Sequence, residues 1–265
     1  MNQLNVNLPE LPYAVSEAMN RLRINIKFCG KNTRKILLTS CQPNEGKSTI
    51  SSYLWKMLAE AGFPTVLVDV DLRKSVMKTR FQMDYDDDTT MGLNHYLSGM
   101  AEYEDVVYST NIPNGYMVPC TQLLENPSAL LEDVRFKELL NTLSENYRFV
   151  IIDSPPLGSV SDGALIASLC DGAVLVVRAG TTPRTLIKQS LYEIQQSGCK
   201  LLGTVLNRAD VKGRAYGKYG YGKYGYGYGY GYGYEPKDEK KTALTPLLQI
   251  RILPENNRLY YFYRL

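Results

Sequence analysis

"LLTSCQPNEGKST", Leu37 to Thr49, joins an apolar run to a segment with helical spacing, and the polar turn between them decides the reading of the chain. Successive backbone N–H groups in such a turn point inward, and the helix that follows adds a partial positive charge at its start. Together they hold anionic phosphates without a large protein charge. Gly46 lets the backbone approach closely, Lys47 can reach the β- and γ-phosphates, and the Ser48 hydroxyl suits Mg²⁺. Asn44, Glu45 and Thr49 complete the candidate phosphate-binding loop. The pattern G-x-x-x-x-G-K-[ST] asks for glycine where this chain has Cys41. A chance Gly-Lys-Ser is the plainer alternative; its place between strand and helix favours phosphate.

Working outward, continuous Val/Ile/Leu runs alternate with helical stretches. "KILLTS" (Lys35–Ser40), "TVLVDVD" (Thr65–Asp71), "FVIIDSPP" (Phe149–Pro156), "GAVLVVRAG" (Gly172–Gly180) and "KLLGTVLNRA" (Lys200–Ala209) read as strands, with "GYMVPC" short and extended. "KSTISSYLWKMLAEAG" reads as a helix ended by Gly62, "PSALLEDVRFKELLNTLSENY" as one or two helices, and "SDGALIASL" and "TPRTLIKQSLYEIQQSG" as two more. "YAVSEAMNRLRINIKF" carries Ala14, Ala18, Leu22 and Ile26 at helical spacing, and Met1 to Pro12 before it reads as an extended arm. The expected fold is α/β, a P-loop NTPase-like, mostly parallel sheet with helices on both faces and a disordered Tyr/Gly-rich C-terminal tail. Such sheets bind ligands at the carboxyl ends of their strands.

The acidic residues collect at those ends. "VLVDVDLRK" places Asp69 and Asp71 on one face by the period of two, with Arg73 joining them if the chain stays extended. Asp153, ending "FVIID", stands where a nucleoside triphosphatase keeps its magnesium-holding aspartate. Any one of these could merely cap a loop; three following apolar runs, together with Lys47 and Ser48, describe a MgATP or MgGTP site. Asn207 and Arg208 lie where a base-contacting loop is expected, or form an ordinary loop.

Composition removes other chemistries. The net charge of +3 over 265 residues gives no basic stripe, so no nucleic-acid partner is expected. Five cysteines without a CxxC pair indicate neither a disulfide framework nor a zinc site, and His95 is the only histidine. No apolar run reaches the roughly 18 residues of a membrane span and no signal-peptide core is present, so a reducing cytosol is expected.

From Gly213 the sequence changes character: nine tyrosines fall within the 22 residues to Tyr234, mostly separated by single glycines. They are Tyr216, Tyr219, Tyr221, Tyr224, Tyr226, Tyr228, Tyr230, Tyr232 and Tyr234. Alone, such a segment reads equally as an adhesive low-complexity stretch. Glycine keeps it flexible, and Lys212, Arg214, Lys218 and Lys223 make its start basic. The chain thus divides into an N-terminal arm and oligomerisation or docking helix (1–28), a P-loop domain (29–212), the tyrosine cluster (213–241) and a tail of unassigned role (242–265).

Through "LLTSCQPNEGKST", "VLVDVDLRK" and "FVIIDSPP" the sequence resembles the bacterial tyrosine kinases of the capsular-polysaccharide type, the BY-kinases. The DxDxR spacing is the most specific of these matches, and "GLNHYLSGM" and "ENPSALLEDVRFKELL" are also family-like. The resemblance implies ATP and Mg²⁺ as cofactors, with Lys47 on the phosphates and Ser48, Asp71 and Asp153 serving magnesium. It implies Asp69 at the incoming tyrosine hydroxyl, Arg73 at the transferring phosphoryl, and the tyrosine cluster as autophosphorylation substrate. It further implies a membrane-anchored activator or adaptor, a homo-oligomer of ring type, other tyrosine substrates, a cognate phosphatase, and a cytoplasmic place at the inner face of the membrane. The family's ring-forming helix has a glutamate and two arginines three apart; Glu17 and Arg23 match, and Asn20 replaces the middle arginine. The rival family is the MinD/ParA-like ATPases, which carry an extra lysine early in the loop where this chain has Gln42. "TALTPLLQIRILPENNRLYYFYRL" has no family counterpart and reads as a hydrophobic docking tail or a coding-frame artefact.

Overall fold

The apolar runs become the strands of one twisted sheet, because only a surface covered on both faces can bury side chains of both parities. The computed structural model describes residues 3–86, 89–158, 162–209 and 247–252. In chain order the elements are β1 (Gln3–Leu4), α1 (Tyr13–Phe28), β2 (Lys35–Ser40), α2 (Lys47–Glu60), β3 (Thr65–Asp69), α3 (Met77–Arg80), α4 (Leu93–Leu97) and α5 (Tyr103–Val106). Then come β4 (Tyr108–Thr110), β5 (Gly115–Val118), α6 (Ser128–Glu132), α7 (Val134–Asn146), β6 (Phe149–Asp153), α8 (Asp162–Ser168), β7 (Gly172–Arg178), α9 (Arg184–Gln196), β8 (Leu201–Ala209) and β9 (Leu247–Ile252). The order across the sheet is β1-β4-β5-β3-β6-β2-β7-β8-β9. From β5 through β8 every pairing is parallel; β4 on β5 and β9 on β8 are antiparallel.

Alternation along the strands divides the core in two. Leu37, Val66, Val68, Val150, Ile152 and Leu175 face α7, α8 and α9, where Phe136, Leu139, Leu143, Ile166 and Ile194 close over them. Ile36, Leu38, Leu67, Ile151, Val174 and Val176 face the other way, onto Leu22 and Ile26 of α1 and Leu54, Trp55 and Leu58 of α2. Trp55 is fully buried, and its indole N–H donates to the Thr65 carbonyl at 3.1 Å, tying α2 to the start of β3. That bond keeps the helix leaving the phosphate loop in register with the strand that carries Asp69.

Four expectations change in detail. β3 stops at Asp69, so Asp71 and Arg73 stand in the turn after the strand and are not carried by its pleat. The buried stripe of α1 is Ala18, Met19, Leu22 and Ile26, with Ala14 exposed at the first turn. The N-terminal arm is extended as expected but packed: β1 pairs with β4, and Leu4, Val6 and Leu8 are buried. Finally, residues 247–252, which had no assigned role, form the antiparallel edge strand β9. The nine tyrosines and the expected disorder of their segment lie outside the described residues.

Candidate active site

The phosphate loop is shaped by its own side chains before any ligand is considered. Asn44 and Gly46 take φ values of +64° and +98°, the left-handed conformation that Gly46 adopts without strain. A Cβ at Gly46 would stand 2.2 Å from the Asn207 side-chain nitrogen, so glycine is needed for space as well. The Glu45 carboxylate turns inward, accepting from the backbone N–H groups of Cys41 (2.7 Å), Gln42 (2.9 Å) and Arg178 (3.4 Å) and from the Thr182 hydroxyl. Glu45 therefore holds the loop with its side chain, and only its backbone remains for a phosphate. Asn207 donates to the Glu45 carbonyl at 2.8 Å, placing the end of β8 against the loop, while Arg208 is exposed. Thr49, half-buried, receives a bond from Arg80 at 3.3 Å. Cys41 is buried in the core at the position where the pattern asks for glycine.

Below the loop, Lys47 is surrounded by acid. Its ammonium lies 2.9 Å from Asp71 and 3.4 Å from Asp153, and 3.3 Å from the Ser48 hydroxyl. Asp153 also accepts from Ser51 at 3.0 Å. Asp69 is the register partner of Asp153 on the neighbouring strand and is held by the Ser75 hydroxyl. Burial opposes the Lys47 charge, but Asp153 and then Asp71 outweigh it, so the ammonium is held above the usual lysine range. Burial raises Asp153, with Lys47 pulling against it. Asp69 is pushed up to about 8, first by burial and then by the charge of Asp153. Asp71 and Asp153 present two carboxylates to the one lysine, which leaves negative charge that a cation would answer.

A cleft of about 210 Å³ opens above these groups, lined by Asn44, Gly46, Lys47, Ser48, Asp71 and Arg73, with Lys74, Arg80, Pro155 and Pro156 around them. Asp69 is only 1% exposed and does not line the cleft, its carboxyl accepting from the Ser75 hydroxyl and the Asp71 N–H. Arg73 leans toward α8, its Nε donating to Asp162 at 2.8 Å.

With this geometry in view, three comparisons are decisive. A family model described as an AAA domain matches residues 33–195. The tyrosine-protein kinase CpsD of Streptococcus agalactiae is 42% identical over 208 residues, covering 78% of this chain and 90% of that one. The kinase domain of the Escherichia coli tyrosine kinase ETK superposes with a TM-score of 0.70 at 28% identity, covering 81% and 86% of the two chains. The chain belongs to the bacterial tyrosine kinases. The septum site-determining protein MinD of Pyrococcus horikoshii, complexed with Mg-ADP, also shares the fold, at TM-score 0.56 and 26% identity over 66% of this chain and 70% of that one.

The kinase thus gathers Asn44, Gly46, Lys47, Ser48, Asp71 and Arg73 at one cleft, keeps Asp69 and Asp153 under it, and sets Asn207 beside the loop. Sequence reasoning missed Ser75, Ser51, Ser128 and Asp162. Only Ser128 carried a signal, lying in the family-like "ENPSALLEDVRFKELL" without an assigned task.

Proposed function

We propose that this kinase transfers the γ-phosphoryl group of ATP to tyrosines of its own 216–234 segment, delivered from a neighbouring subunit, and so regulates capsular or extracellular polysaccharide synthesis with a membrane-anchored adaptor. The observation that carries the reading is the convergence of Ser48, Asp71 and Asp153 on Lys47 under the cleft. The donors fit magnesium: Ser48, Asp71 and Asp153 offer hard oxygens beside an uncompensated negative charge. Among the described residues no three His, Cys, Asp or Glu donors form a metal group. Magnesium usually keeps several waters and is held by one or two carboxylates plus substrate phosphates. When bound, MgATP supplies the phosphoryl group and its charge neutralisation.

This chain's own residues do the rest. Lys47 exchanges its aspartate partners for the β- and γ-phosphates, and the backbone of Asn44 to Thr49 fixes the donor. Asn207 and Arg208 lie toward the base. The phenol oxygen forms a bond to the γ-phosphorus as the bond to the β-bridging oxygen breaks; the phenol proton passes to Asp69, and ADP leaves. Asp69 takes that proton only as the carboxylate, a form that the positive charge arriving with MgATP would favour over the protonated one of the empty site, and the loose transition state needs little charge on the attacking oxygen until late. Arg73 stands at the cleft wall as a cation for the transferring group.

The helix α1 is the proposed docking and ring-forming element: Tyr13 and Phe28 are 82% and 78% exposed, beside exposed Glu17 and Arg21. No helix among the described residues is long and apolar enough to cross a membrane, so membrane contact is proposed through the adaptor, on the cytoplasmic side. A cognate phosphatase and further tyrosine substrates belong to the same reading. The fold likeness to MinD leaves an ATPase without kinase activity as the rival, and Gln42, uncharged where that family has lysine, stands against it. The trans step is tested by mixing a Lys47→Met chain with a chain whose nine cluster tyrosines are phenylalanine. Phosphate on the Lys47→Met partner is expected; its absence refutes delivery between subunits.

A further inference from the structure

Arg73 is the most heavily engaged side chain at the edge of the cleft. Its three nitrogens donate to three residues in two segments: Nε to Asp162 at 2.8 Å, one terminal nitrogen to the Glu125 carbonyl at 2.7 Å, the other to the Ser128 hydroxyl at 3.1 Å. Ser128 in turn donates to the second oxygen of Asp162 at 2.6 Å. Asp162 is 1% exposed and has its two oxygens occupied by these partners. Backbone contact follows the same path, the Leu124 N–H donating to the Leu72 carbonyl at 2.8 Å.

A guanidinium is a rigid planar fork, so bonds on Nε and both terminal nitrogens fix its plane as well as its position. Only a charged partner inside the protein makes that worthwhile for an arginine whose other face lines an open cleft. Charge-assisted and with its carboxylate buried, the Asp162 contact is the strong one of the three. The remaining two dock "ENPS", Glu125 to Ser128, on Arg73, more than 50 positions along the chain from it.

We propose that Asp162 and Ser128 are positioning residues for phosphoryl transfer, acting through Arg73, which they hold at the wall of the cleft beside Lys47 and Asp71. This deepens the kinase reading and rests on it. The two residues sit at the starts of α8 and α6, so the clamp joins the segment after Asp153 and the segment after β5 to the DxDxR turn. A displacement of either helix therefore moves the cation at the reacting group, and misplacement of about 1 Å can cost ~100-fold in rate.

The test is single-turnover transfer from γ-labelled ATP in the full chain, with ATP affinity and melting temperature measured on the same samples. Asp162→Asn should slow transfer at least ~10-fold while ATP affinity stays within ~3-fold, a separation that a general loss of structure would not produce. Ser128→Ala, which removes both hydrogen bonds of the hydroxyl and leaves the ion pair, should slow it ~2- to 5-fold, and it decides the matter if Asp162→Asn does not fold. In an Arg73→Lys background neither substitution should slow transfer further by more than ~2-fold, because residues acting through one group are not additive. Full additivity with Arg73→Lys, or unchanged transfer in both single variants, overturns the proposal. Loss of transfer in Lys47→Met together with such additivity would sink the clamp and leave the kinase reading standing. Transfer unaffected by Lys47→Met would sink the kinase reading itself.

Discussion

Asp69 is a carboxyl group placed almost entirely out of water. Fully buried beside Asp153, it keeps its proton up to about pH 8 in the nucleotide-free protein, whereas an unfolded chain gives it up near pH 4. The folded state therefore binds the extra proton between those values, and stability falls as pH rises through the window. Asp69→Asn removes that dependence. Thermal unfolding without nucleotide should show the variant more stable than the parent by on the order of 1–3 kcal/mol at pH 8, and by less at pH 5.5. The same variant should lose tyrosine transfer. A stabilisation equal at both pH values would mean that Asp69 is not held protonated. Asp69 was legible as a site residue because it ends an apolar run, and Lys47 because it stands in the Gly-Lys-Ser pattern between strand and helix. Their mutual burial was not, since nothing in "VLVDVD" shows that Ser75 will close over the first aspartate.

Among the elements, the phosphate loop depends on Glu45. One carboxylate gathers Cys41, Gln42, Arg178 and Thr182, linking the loop to the end of β7 and the turn before α9. Glu45→Gln replaces an acceptor of these donors by a group half of which donates. It should lower stability by about 2–3 kcal/mol and weaken ATP binding ~10-fold or more, measured by denaturant melts and nucleotide titration. An unchanged affinity would show that the loop keeps its shape without this anchor. The sequence placed Glu45 with the ligand contacts by its position in the pattern; only the fold shows its side chain turned away, toward residues more than 130 positions on. The same limit hid the Arg73 clamp, whose partners lie 52 to 89 positions away. Long apolar strands were readable because burial on both faces keeps most of their polar residues to the ends, as Asp69 ends β3 and Asp153 ends β6. The short α3, α4, α5, β1 and β4 were not, having too few residues to display a period.

For the whole molecule, the parallel sheet brings the carboxyl ends of β2, β3, β6 and β8 to one rim, which is why motifs scattered from Cys41 to Arg208 converge. The expected single-ended tail is modified at the edge of that sheet. Ala209 and Leu247 are register partners, so the chain leaves β8 and is back beside the same residue at β9. Tyr216, seven residues from Ala209, can stray at most ~23 Å from that edge, and Tyr234, thirteen from Leu247, at most ~43 Å. Tyr228, nineteen residues from both Ala209 and Leu247, has the longest limit, ~63 Å, so chain length does not restrict delivery to the immediate rim.

Mass spectrometry of the full chain, incubated with γ-labelled ATP, magnesium and the adaptor's cytoplasmic segment, locates the phosphate residue by residue. Label on several of the tyrosines from Tyr216 to Tyr234, absent from Lys47→Met alone, is the predicted result. No label in that segment, or equal label in the Lys47→Met chain, would contradict the assignment of the cleft as the site that phosphorylates it.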